Sequence, residues 1–145
     1  MYARKKQGTN YTAAHFGKWE DLKDYKIEEP VKARGKAFLN DILGLNGMEV
    51  SMNSFPLQTF MPFHHKLGEN EELYIFVKGQ GQYQVDEEIF DVEEGTVVRV
   101  APAGVRIFRN NSDENLYFIY VQAKENSLQH NNISDGIVVE KPVEW

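Results

Sequence analysis

A chain of 145 residues has room for one domain, and its apolar and charged fractions, 41% and 26%, are ordinary for a globular protein and exclude wholesale disorder. It contains no cysteine, which excludes disulfides, thiolate metal sites and a cysteine nucleophile. With 16 basic against 22 acidic residues, net −6, it lacks the basic face that nucleic acid requires, and no apolar run approaches the roughly 18 residues needed to cross a bilayer.

The opening residues are basic but lead into no apolar stretch, so no export signal is read and a cytoplasmic location is expected. Residues 1–35 read as an arm and 36–145 as a single β-barrel domain. Within the arm, Trp19, Leu22 and Tyr25 stand three apart, which predicts one or two helical turns over 18–25, closed by Pro30. The arm is expected to pack on the body of its own or a neighbouring subunit, a weak pointer to a homodimer. A short strand is predicted at Ala37–Leu39, then one turn capped by Asn40, running through Leu43 and ended by Gly44.

The remainder reads as β structure. Met48–Phe55 alternates, with Met48, Val50, Met52 and Ser54 on one face. Strands follow at Leu73–Val77, Gln82–Val85, Ile89–Val92, Thr96–Val100, Arg106–Arg109 and Leu116–Val121, each bounded by Gly, Pro, Asn or Asp turns. Thr96–Val100 and Leu116–Val121 are apolar nearly throughout, as strands covered on both faces would be. Gly136–Glu140 is expected to be an edge strand. Many short strands without helical periods predict an all-β sandwich or barrel rather than an α/β sheet.

Two stretches carry a family resemblance: PFHHKLGENEELYIFVKGQG at 62–81 and EGTVVRVAPAGVRIFRNNSDENLYFIYVQ at 94–122. Together they resemble the cupin superfamily, in particular small single-domain cupins of the cupin 2 group. The first cupin motif runs Gly, five residues, His-x-His, three or four residues, Glu, six residues, Gly. The second runs Gly, five residues, Pro-x-Gly, two residues, His, three residues, Asn. Glu72 and Gly79 fit the end of the first, while Gly95, Pro102, Gly104 and Asn111 fit the second with one extra residue after Gly95. The resemblance implies an antiparallel jelly-roll barrel.

It also implies a metal site, from which this chain departs. Counting back from Glu72 puts the first motif histidine on His65 and the second on Leu67; counting on from Gly104 puts the third on Ile107. Leucine and isoleucine offer no lone pair, whereas a first-row metal needs three or four donors. His65 and Glu72 therefore remain as candidate ligands or as a proton-transfer pair. His64 is an added donor only if a bulge turns it inward, since neighbours on a strand face opposite ways. His15 and His130 are further donors only if the arm or the C-terminal segment closes over the barrel mouth. The expectation is a degenerate site without a cofactor, with iron, manganese, nickel or zinc as the alternative.

The remaining pocket candidates follow from alternation and from the motif positions. Tyr74 and Phe76 share the face of Glu72, and Arg109 shares that of Ile107. An inward Arg109 would need a carboxylate, either Glu72 or one on a ligand; a bulge would instead release it to solvent. Arg99 and Arg106 are expected at the surface. Met52, Met61, Phe63 and Tyr83 are expected as pocket lining or core. The leading function is binding of a small, anionic or neutral molecule inside the barrel. The alternatives are a metal-dependent oxygenase or sugar or sugar-phosphate isomerase-epimerase, and a filled barrel acting through its dimer surface. No nucleic acid or membrane partner is expected.

Overall fold

The computed structural model describes residues 4–29, 32–130 and 132–145. Nine of its strands form two facing antiparallel sheets, the jelly-roll arrangement. In chain order these are β5 (Lys36–Phe38), β6 (Glu49–Phe55), β7 (Thr59–Phe60), β8 (Asn70–Lys78), β9 (Gln80–Val85), β10 (Glu88–Glu93), β11 (Val97–Val100), β12 (Arg106–Asn110) and β13 (Leu116–Lys124). One sheet runs β11-β8-β13-β6-β5 and the other β10-β9-β12-β7. The predicted strands from 48 to 121 are all present.

The arm contributes two small hairpins, β1 (Arg4–Gln7) with β2 (Thr12–His15) and β3 (Lys26–Ile27) with β4 (Ala33–Arg34), and a 3-10 helix at Trp19–Asp24 between them. The expected helical turns are thus present, and they seat Leu22, fully buried, in a cluster with Phe16 and Ala37 flanked by Met52. Trp19 adds an edge-on contact to Tyr117 at 6.1 Å. The arm packs on its own barrel and covers the outer face of β13 and β6. Pro30 lies outside the described residues. Met52 faces this arm cluster rather than a pocket.

Burial of neighbouring residues tracks each strand's place in its sheet. β13 is the middle strand of five, and Leu116, Tyr117 and Phe118 are buried in succession because both its faces are covered there, as expected: Leu116 and Phe118 enter the barrel core, while Tyr117 lies under Trp19 of the arm. β11 is different: it is an edge strand, so Val98 and Val100 are buried while Val97 and Arg99 are exposed. Coverage of both faces there, expected from composition, is corrected. Gly136–Glu140 forms no strand; Ile137, Val138 and Val139 are exposed and pair with no sheet. The single helical turn, α1 (Asn40–Leu43), ends as predicted in a left-handed Gly44. Asn40 is its first residue rather than its cap, because its side chain is engaged across the following loop, donating to Met48 O and accepting from Val50 N.

The interior is aromatic. Tyr74, Phe76, Tyr83, Phe108, Phe118 and Tyr120 pack with Val92, Val98, Val100 and Leu116. Tyr83 and Phe108 lie parallel at 5.8 Å, and Tyr74 meets Tyr83 and Tyr120 edge-on at 5.1 and 5.2 Å. Part of the barrel is therefore filled, and a cavity of about 510 Å³ remains beyond Tyr74, Phe108, Phe118 and Tyr120. No helix among the described residues is long and apolar enough to cross a membrane.

Candidate functional site

The cavity is organised around Glu72. This residue sits on β8 with Tyr74 and Phe76 on the same inward face, as alternation predicts, and its side chain is 1% exposed. β13 runs antiparallel beside it, with Gln122 opposite Glu72 and Tyr120 opposite Tyr74. That register brings the Tyr120 hydroxyl to Glu72, and it donates to Oε1 at 2.6 Å. Burial, reinforced by this hydrogen bond, pushes the Tyr120 phenol up, so it stays a donor. Burial likewise raises Tyr74 and Tyr83.

The other carboxylate oxygen is occupied by a residue expected at the surface. Arg106 is fully buried, and its Nε lies 2.6 Å from Glu72 Oε2. The nitrogen and oxygen are close but off the N–H axis, so the contact is an ion pair rather than an aligned hydrogen bond. Arg106 points inward because of its backbone partners. Its N–H donates to His65 O at 2.9 Å, and His65 N–H donates to Arg106 O at 3.1 Å. Residues opposed in this way carry their side chains on one face. Hence both Arg106 and His65 enter the barrel, and His65 Nε2 stands 3.8 Å from Glu72 Oε1.

An inward Arg106 turns its neighbours outward. Ile107 and Arg109, expected on the pocket wall, lie in a separate outer groove of about 290 Å³ that also holds His64 and Phe60. Arg109 is exposed and donates through Nε to Gln82 Oε1 at 2.9 Å. No bulge is needed to free it; the whole strand is one residue out of the expected phase. The motif asparagine shifts in step. Asn110, not Asn111, is buried, and its side chain donates to Phe55 O and Glu114 O and accepts from Ser112 N. The sequence signal was present: Arg106, three residues, Asn110 preserves the His, three residues, Asn spacing. Arg106 is the residue at the third motif-histidine position.

Of the other expected residues, Met61, Phe63, His65, Glu72 and Tyr74 line the cavity. Phe76 and Tyr83 are packed into the aromatic core beneath it, and Leu67 is half-buried in the β7–β8 connection, away from the cavity wall. His64 faces out, as alternation requires, and His15 and His130 are exposed outside the cavity. Arg99 is at the surface, where it pairs with Glu71 and Glu125. Among the described residues, no three His, Asp or Glu side chains converge as metal donors.

A second residue that sequence reasoning missed, after Arg106, is Lys36. It sits on β5 opposite Asn53, which also lines the cavity, so the two share the inward face. Its ammonium lies over the rings of Phe38 and Tyr120, 4.7 and 5.0 Å from their centroids. Gly35 sets this approach. It has φ +75°, and the Ser54 carbonyl occupies the space a Cβ would need, so only glycine lets the chain cross here. Burial pulls the Lys36 pKa down, partly opposed by Glu49 and Glu72.

The motif spacing, the two-sheet barrel and the buried glutamate at the first-motif position converge with the comparisons. The cupin domain family model matches residues 56–122. The structure of a cupin protein from Bacteroides fragilis is 33% identical, with a TM-score of 0.69 over 79% of this chain and 97% of that one. The chain is a cupin. More distant structures share the fold alone. A Photorhabdus luminescens protein is 18% identical, TM-score 0.59, over 72% of this chain and 84% of the other. A candidate sugar phosphate isomerase from Acidithiobacillus ferrooxidans is 18% identical, TM-score 0.55, over 61% and 58%. No curated protein matches the sequence significantly.

In this cupin His65 is held below its ordinary pKa, chiefly by burial, with Glu72 opposing. The folded value thus lies below the unfolded one of about 6.5, so the unfolded chain takes up the proton first. Stability present above about pH 6.5 is lost as pH falls toward the folded value. Urea unfolding at pH 7.5 and 5.5 should show a smaller acid loss in His65→Gln than in the native protein. Equal losses would mean that His65 is not the group responsible.

Proposed function

We propose that this cupin binds a small organic molecule in its barrel without a metal. The observation that carries the reading is the Arg106–Glu72 ion pair, which puts a fixed cation where family members keep a metal donor. The residues present do not fit a metal. Glu72 already serves Arg106 and Tyr120, and His65 is the one imidazole in the cavity. A dication about 4 Å from the guanidinium would meet a repulsion of about 8 kcal/mol at an effective dielectric of 20. The cavity itself supports a ligand: about 510 Å³, walled mainly by aromatic and apolar side chains with a few polar groups among them.

The test is ligand-dependent thermal stabilisation of chelator-treated protein against a panel of small aromatic and aliphatic compounds. A ligand present at 100 times its Kd should add about 2.7 kcal/mol of stability. The gain should vanish in Met61→Trp, which fills the cavity. Stabilisation that requires added metal would contradict the reading.

A further inference from the structure

We propose that Lys36 is the counter-ion for the ligand, and that the cavity takes a monocarboxylate carried on an aromatic or branched apolar body. The inference rests on the barrel being a ligand pocket and names what enters it. Glu72 is neutralised inside the wall by Arg106 and hydrogen-bonded by Tyr120, so it presents no unmatched charge to the cavity. Lys36 does: among the described residues no carboxylate lies within ion-pair distance of its ammonium. Glu49, the nearer acid on β6, accepts from Gln122 Nε2 at 3.0 Å. A half-buried ammonium against two aromatic rings is costly to desolvate and gains most from an anion that brings no water with it.

Charge and shape then define the class. With Arg106 spent on Glu72, the one half-buried cation left to the cavity matches one negative charge; Arg34, the other cation on the lining, is exposed. Beyond Lys36 the walls include Phe38, Phe55, Met61 and Phe63, which suit a ring or branched chain; the neutral polar side chains on the lining, Asn53, Ser54 and His65, are few, and the Asn53 amide already donates to Ser51 O. The carboxylate would therefore sit under Lys36, with the apolar body directed across the cavity.

Calorimetric titration at pH 7 with 3-phenylpropionate and its neutral amide separates charge from shape. The native protein should bind the acid at least about tenfold more tightly than the amide. Lys36→Met, which keeps the length of the side chain, should erase that gap by weakening the acid more than the amide, and Lys36→Arg should retain it. Equal affinities for acid and amide in the native protein, or a gap that survives Lys36→Met, would overturn the role of Lys36 and leave the pocket standing. Binding of neither compound would overturn both the role and the pocket.

Discussion

Arg106→Leu is expected to lower stability by about 3–5 kcal/mol, the usual consequence of leaving one member of a buried ion pair without the other. For a chain of this size that corresponds to a fall in Tm of about 10–20 °C. The loss arises from Glu72, which is 1% exposed and would keep only the Tyr120 hydroxyl and a distant His65. Removing the stranded charge as well should repair much of the damage. The double variant Arg106→Leu/Glu72→Met is therefore expected to be more stable than Arg106→Leu alone, despite a Tyr120 hydroxyl left without its acceptor. Urea unfolding of the native protein, both single variants and the double variant gives the coupling directly. A single-variant loss below about 1 kcal/mol would mean that Arg106 does not lie against Glu72 in the folded protein.

Arg106→His should convert the site to a metal centre. It removes the guanidinium and supplies a second imidazole beside His65 and Glu72, completing a two-histidine, one-carboxylate set. Without metal this variant should be destabilised, because Glu72 again loses its cation. Addition of manganese, iron, nickel or zinc should restore stability, by about 2.7 kcal/mol at 100 times the metal Kd, with uptake of about one ion per chain. A second change, His65→Ala, should abolish both uptake and rescue. Absence of metal-dependent rescue in a folded Arg106→His variant would mean that these three positions do not converge.

Both expectations depend on a register that was only partly legible in the sequence. The strands and the inward face of β8 follow from alternation and turn residues, and Glu72, Tyr74 and Phe76 lie where that pattern puts them. β12 was misplaced by one residue. Counting from Gly104 selects Ile107, whereas the chain shortens by one residue between that glycine and the strand, having gained one after Gly95. Because side chains alternate with a period of two, a slip of one exchanges the two faces of the strand. It exchanged Arg106 for Ile107 and made Arg109 a pocket residue. Counting back from Asn110 avoids the slip, since that asparagine is pinned by four side-chain hydrogen bonds, to Phe55 at the end of β6 and to Ser112 and Glu114 in the β12–β13 turn.

Lys36 left no comparable signal. It precedes the matched motifs, and its place over the cavity depends on β5 adding to the edge of β6 and on the close crossing at Gly35. Contacts between segments that distant in sequence are set by tertiary packing and not by local pattern. The exposed Val97 on β11 has the same origin: composition predicts an apolar run, but only sheet order shows that the strand is at an edge.

The most direct test of the account is the metal content of the native protein, purified without an affinity tag and measured by elemental mass spectrometry before and after incubation with iron, manganese, nickel and zinc. The Arg106–Glu72 pair predicts only substoichiometric metal under every condition, unchanged by His65→Ala. A near-stoichiometric metal that is lost on His65→Ala would contradict it, and would show that the guanidinium yields its place to an ion.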